Sequence, residues 1–265
     1  MIEVRELHEM AEFERVNDLF EDIWHFGPGD PPITMELMRA LSHAGGYVAG
    51  AFEGDRLVGG SVGFLAAGGA LHSHVTGTTR RGAGFELKLH QRRWALGRGI
   101  ERITWTYDPL VRRNAHFNLA KLGARPQEYL PRFYGVMGDA INQGDESDRL
   151  LAVWPLTAPH VEALARREPG ESAAPEGAVV ALADDGGRPV PGPVPGPVQG
   201  PAQGPEGAGA VLVAVPADIE GLRGSDPGTA KAWRLAVREV LGGLMAEGRT
   251  VTGFCGKSYY VVEQA

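Results

Sequence analysis

Between Leu71 and Phe85 the chain reads LHSHVTGTTRRGAGF, which sets His72 and His74 two residues apart and follows them with Arg80, Arg81, Gly82, Ala83 and Gly84. If LHSHVTG is a strand, residues two apart share a face, so both imidazoles point the same way. An imidazole titrates near neutrality and can take a proton from an amine, directly or through a water. Hydrogen-bonded packing is the other use open to the pair. As metal ligands the two are incomplete without a third donor at suitable spacing, and no metal is expected. The glycines that follow suit a turn between strand and helix, where backbone N–H groups are left unpaired and the helix dipole favours an anion. From Arg80 to Arg102 there are seven Lys or Arg against two acidic residues, in a chain whose net charge is −7. A phosphate-bearing ligand is the expected occupant. The glycine spacing here is neither that of a dinucleotide-binding turn nor that of a P-loop.

The elements that must carry these residues are legible from periodicity. Ile2 and Val4 alternate as in a short strand, and Met10, Phe13, Val16, Leu19, Phe20 and Ile23 repeat at helical spacing. Thr34 caps a second helix through Met35, Met38 and Leu41. YVAGAF and LVGGSVGFL form a hairpin across EGDR, and LHSHVTG is the next strand. The helix from Phe85 to Leu96 lacks clean periodicity, but its residues are mostly strong helix formers. RITWTY is then a strand, RRNAHFNLAKLG a helix closed by Gly123, and the residues to Leu130 a further strand. This alternation predicts a mixed sheet with helices on its faces.

Beyond that the composition changes. Val190 to Pro205 is four units, VPGP, VPGP, VQGP and AQGP, and the whole stretch 168–208 is expected to be a Pro/Gly-rich spacer. AVLVAVP, a helix starting at Asp226-Pro227, and two strands around CGKS make a small α/β extension over 209–265, too short to stand alone and so expected to dock on a first domain of residues 1–165.

The balance of −7 argues against general attraction to nucleic acid or a membrane surface. No apolar run is long enough to span a bilayer, and MIEVRELHEMAEF does not resemble a secretion signal. The single cysteine, Cys255, excludes an intrachain disulfide; burial in a strand is its expected role. A soluble, cytoplasmic protein is expected, with a homodimer as the default assembly.

The glycine turn after the fourth strand, together with RRNAHFNLAKLGA after the fifth, resembles the GNAT superfamily of acyl-CoA-dependent N-acyltransferases. GFELKLHQRRWALGRGIERITWTYDPLVRRNAHFNLAKLGA and YGVMGDAINQGDESDRLLAVW look like a branch of it, some of whose members resemble amino-acid N-succinyltransferases. The resemblance implies that acetyl-CoA or another acyl-CoA is the co-substrate and a small amino-acid-like amine the acceptor. It implies that the thioester lies along the fourth strand beside Val75 and Gly77. The diphosphate would lie on Arg80, Arg81, Gly82, Ala83, Gly84 and Phe85, with Asn114 and Asn118 nearby. Thr79 stands where the family commonly has Arg or Gln, and Leu119 where it often has the tyrosine that protonates the departing thiolate. His74 and His72 are then the expected bases and Tyr134 the expected acid. Tyr107 and Asp108 either line the acceptor site or form a turn, and Asn114 contacts the cofactor or caps its helix. A non-catalytic acyl-CoA-binding module, or an acyl-CoA decarboxylase or hydrolase, is the alternative activity.

Overall fold

The computed structural model describes residues 1–26, 31–135, 145–168, 173–192 and 209–264. These form two compact units, one of Met1–Trp105 with Pro155–Ala158, the other of the remaining described chain. Each carries strands of a mixed sheet, so the class is mixed α+β.

The first unit runs β1 (Ile2–Glu6), α1 (Met10–Trp24), α2 (Met35–His43), β2 (Tyr47–Glu53), β3 (Arg56–Ala66), β4 (Ala70–Thr78), α3 (Ala83–Leu96) and β5 (Arg102–Tyr107). The strands lie in the order β1-β2-β3-β4-β5, antiparallel until β4, which is parallel to β5. Helices cover both faces, and two neighbouring glycines of β3 show it. A Cβ on Gly59 would stand 3.0 Å from Leu87 of α3, whereas one on Gly60 would stand 3.0 Å from Val16 of α1. Phe13, Val16 and Phe20 of α1 and Met38 of α2 pack with Leu7, Val48 and Val62 as one core. Thr34 caps α2 as expected, its Oγ1 accepting from Leu37 N at 3.2 Å. α1 ends at Trp24, where His25 takes a left-handed conformation and donates to Glu21 O. The glycine-proline turn expected to stop this helix lies partly outside the described residues.

The second unit contains α4 (Arg112–Ala115, continued as a π-helical stretch His116–Lys121), β6 (Arg125–Leu130), β7 (Arg149–Pro155), α5 (Pro159–Ala165), β8 (Val179–Asp185), β9 (Arg188–Pro191), β10 (Ala210–Ala214), α6 (Ile219–Ser225), α7 (Pro227–Val237, drawn on through further helical turns to Ala246), β11 (Thr250–Cys255) and β12 (Tyr259–Glu263). Its sheet runs β11-β12-β10-β8-β9, and β6 pairs antiparallel with β7. Residues 210–264 pack with 106–135 inside this unit: Tyr260 Oη donates to Pro109 O at 2.9 Å, and Arg112 donates to Val215 O at 3.1 Å. Asp226 caps α7 as expected, accepting from Thr229 N at 3.0 Å.

The expected 168–208 spacer needs correction. Its described part contains β8 and β9, a hairpin turning at Gly186 and Gly187, both at positive φ. Val179 and Val180 pair with Val211 and Leu212 of β10, and Trp233 Nε1 donates to the Gly187 carbonyl at 2.8 Å. The short alternation in AVVALADD, next to an Asp-Gly-Gly turn, outweighs the low-complexity composition around it because a neighbouring strand supplies the pairing edge. The remaining repeats, 193–208, lie outside the described residues.

Candidate functional site

β4 is the strand on which the candidate groups meet. Its parallel ladder with β5 holds only at Leu71↔Ile103 and His72↔Thr104. From Ser73 onward β4 has no partner on that side among the described residues, and the two strands fork. On the other edge a β-bulge interrupts the pairing with β3. Val62 faces Val75 and Gly63 faces Ser73, so His74 is the extra residue. The bulge shifts the alternation of faces. Ser73 meets α3 through Lys88, whereas a Cβ on Gly77 would stand 2.7 Å from the Trp24 ring of α1. Gly77 is therefore required by packing against α1, and Val75 packs on the same core.

The histidines do share a surface, with Phe64 between them; its ring lies 5.1 Å from His72 and 6.0 Å from His74. His72 is half-buried and its Nδ1 is 3.0 Å from Thr104 Oγ1. Burial first, then the neighbouring His74 and Lys88, lower its pKa, so it stays neutral at neutral pH. His74 is exposed, with Nε2 3.2 Å from Pro32 O.

The glycine turn opens α3 as expected. Gly82 is the N-cap at φ 92°, a left-handed conformation that costs any residue with a Cβ. Ala83 N and Phe85 N close short bonds to Arg80 O and Gly82 O, while the N–H groups of Arg81, Gly82 and Gly84 have no acceptor among the described residues. Arg80 reaches Glu53 at 3.4 Å across an exposed pair, and Arg81 is exposed.

The interior of α3 holds what sequence reasoning missed. Lys88 is 5% exposed, Ser73 3% and Gln91 0%. Lys88 Nζ lies 2.8 Å from Ser73 Oγ and 3.1 Å from Gln91 Oε1, and 4.1 Å above the Trp105 ring. No carboxylate pairs with it among the described residues, and burial brings its pKa down to about 7. The buried face of α3 is Ala83, Leu87, Lys88, Gln91, Trp94 and Ala95. Its helical period is intact, but two of its positions are polar, which is why the pattern looked irregular.

The other sequence-predicted residues belong to the second unit. Asp108 is buried with both carboxylate oxygens engaged: Oδ2 accepts from Arg223 at 2.6 Å and Arg234 at 2.8 Å, Oδ1 from Arg234 at 2.9 Å and from Leu110 N at 2.9 Å. Burial alone would raise its pKa, but Arg234 and Arg223 outweigh this and hold the carboxyl well below the usual range. Tyr107 is buried too, which pushes its hydroxyl pKa up. Asp108 therefore serves the framework of this unit, whereas the buried Tyr107 hydroxyl has no hydrogen-bond partner among the described residues. Asn118 is buried in the π-helical stretch, with Leu119 beside it, and Asn114 is half-buried. Tyr134 is exposed on a turn, its Oη 3.2 Å from Thr106 Oγ1 and its ring against Phe133. Cys255 is buried, with its thiol pKa pushed up by burial. Among the described residues there is no group of three or more His, Cys, Asp or Glu able to hold a metal, and no helix is long and apolar enough to cross a membrane.

No family model matches the chain, and no curated protein matches it. Several solved structures follow a similar chain course. The ribosomal-protein-S18-alanine N-acetyltransferase from Escherichia coli is 10% identical, with TM-score 0.48, over 60% of this chain and 96% of its own. A putative acetyltransferase from Salmonella typhimurium, solved with acetyl-CoA, is 15% identical, with TM-score 0.48, over 60% of this chain and 97% of its own. A putative acetyltransferase of the GNAT family from Desulfovibrio desulfuricans is 15% identical, with TM-score 0.48, over 59% of this chain and 100% of its own. The likeness is one of chain course, and the chemistry has to be argued from the fork, the turn and the buried groups of this chain.

Proposed function

We propose that the chain is an acyl-CoA-dependent N-acyltransferase of GNAT type, moving an acetyl or succinyl group to the amine of a small amino-acid-like acceptor. The observation that carries this reading is the single strand β4. It loses its neighbour after His72↔Thr104, and it ends in a glycine turn whose free N–H groups open a fourteen-residue helix. An extended amide-bearing chain ending in a diphosphate has the two features that match such a strand, an edge to pair with and an anion site at its end.

In this reading β4 main chain beyond Ser73 pairs with the pantetheine arm and polarises the thioester carbonyl. Gly82 and Gly84 let the diphosphate approach the turn, with Arg81 and Arg80 meeting its charge. His72, kept neutral by burial, and His74, open to solvent, are the groups on β4 able to receive the amine's proton. Tyr134 is the proposed proton donor to the leaving thiolate.

Titration calorimetry with acetyl-CoA and succinyl-CoA, followed by thiol release in the presence of amino-acid amines, tests the proposal. Binding is expected to weaken in Arg81→Ala, and turnover to fall by about 10²–10⁴-fold in His74→Ala with binding retained. Absence of binding to any CoA ester refutes the reading. Binding without turnover against a broad amine set favours the non-catalytic module.

A further inference from the structure

A buried lysine without a carboxylate needs a reason, and its surroundings supply one. A neutral amine has two N–H donors and one lone pair; an ammonium has three donors and none. Around Lys88 Nζ stand one carbonyl acceptor, Gln91 Oε1; one aromatic face, Trp105; and one hydroxyl, Ser73 Oγ, which can donate. As an ammonium Lys88 gives its three hydrogens to Ser73 Oγ, Gln91 Oε1 and the ring; once deprotonated, the amine keeps Gln91 and the ring as acceptors and turns its lone pair to the serine proton. That is the arrangement of an activated nucleophile: a hydroxyl in hydrogen-bond contact with a base, and the base oriented by a third group. Ser73 also follows directly on the last residue of β4 that pairs with β5, at the closed end of the fork.

We propose that Ser73 and Lys88 are a nucleophile–base pair that takes the acyl group of a thioester onto Ser73 Oγ, a covalent route leading to thioester hydrolysis when no amine intercepts it. The inference rests on the reading that an acyl thioester lies along β4. In the first half, Ser73 Oγ bonds to the carbonyl carbon while its proton passes to Lys88 Nζ. The C–S bond then breaks, and the thiolate leaves with that proton. In the second half, water attacks the serine ester with Lys88 again receiving the proton, the Oγ–C bond breaks, and the proton returns to Ser73 as the carboxylic acid departs.

The test is acid-quenched intact mass spectrometry after incubation with acetyl-CoA and no amine, with peptide mapping and thiol release in parallel. One acetyl group is expected on Ser73, labile to alkaline hydroxylamine. Ser73→Ala is expected to abolish it while binding acetyl-CoA as the unmodified chain does, and Lys88→Met to slow labelling by about 10²–10⁴-fold. The rate is expected to rise as pH passes about 7 and then level off, since Lys88 must be neutral and burial already lowers the pKa of nearby His72. Acetyl-CoA binding with no acetyl on Ser73, or with the label on another residue, overturns this proposal and leaves the N-acyltransferase reading standing. No binding of acetyl-CoA overturns both.

Discussion

Both units bury charge, and they do it in opposite ways. In the second unit Asp108 is enclosed by Arg223 and Arg234, and Arg234 also reaches Asp145 at 2.8 Å. Each charge there has a counter-charge in bidentate or shared geometry, the condition under which burial is tolerated. In the first unit Lys88 is as deeply buried, but its partners are a hydroxyl, an amide oxygen and a ring. A compensated cluster holds its protonation state over a wide pH range and so makes framework. An uncompensated lysine gives up its proton near neutrality and becomes a base. Burial is thus not what separates structural from chemical groups; the presence of a counter-charge is.

Four substitutions break or sharpen that contrast. Asp108→Asn removes one of the two carboxylates that Arg223 and Arg234 share, leaving Asp145 to serve both buried guanidiniums, and is expected to destabilise the second unit by about 3–5 kcal/mol in urea unfolding. Because the folded pKa of Asp108 lies below its unfolded value, its contribution is complete above about pH 4 and is lost as pH falls further. The variant should lack that part of the acid dependence. Lys88→Met is expected to act in the opposite sense. The folded Lys88 binds its proton less readily than the unfolded chain, so wild-type stability rises with pH between about 7 and 10.5. The slope is about 1.4 kcal/mol per pH unit for one proton, and the variant's profile should lack that part of the rise. Tyr129→Phe removes a 2.8 Å donor from Asp148, which keeps Arg238, and is expected to cost about 1.5–3 kcal/mol by the same unfolding measurement. Arg5→Ala breaks an exposed pair with Glu12 and should change the unfolding free energy by no more than about 1 kcal/mol, vanishing at high salt.

Local elements were legible where one rule governed them. Thr34 and Asp226 cap the helices they announce, and the Gly82 turn opens α3, because capping and positive-φ chemistry act within a few residues. The site was legible in part. His72 and His74 face one ring, as their spacing implied, although a bulge beside His74 reverses the faces beyond it. Lys88 looked like an ordinary helix former, since its own residue type does not reveal that its face of α3 is covered. Its recurrence at 3.6-residue spacing with Leu87, Gln91 and Trp94 was the available signal. Asp108 looked like a turn or acceptor residue because its arginines come from more than a hundred positions later.

By itself the sequence determined the strand and helix order of the first unit, the glycine turn and its local positive charge, and the paired histidines. These follow from periodicity, backbone sterics and nearest neighbours. The tertiary structure alone decided where β4 and β5 part, that residues 179–191 find a strand to pair with, and which buried charges meet a counter-charge. Those outcomes depend on contacts between residues far apart in the chain, and such contacts set both the dielectric around Lys88 and the groups that share its proton.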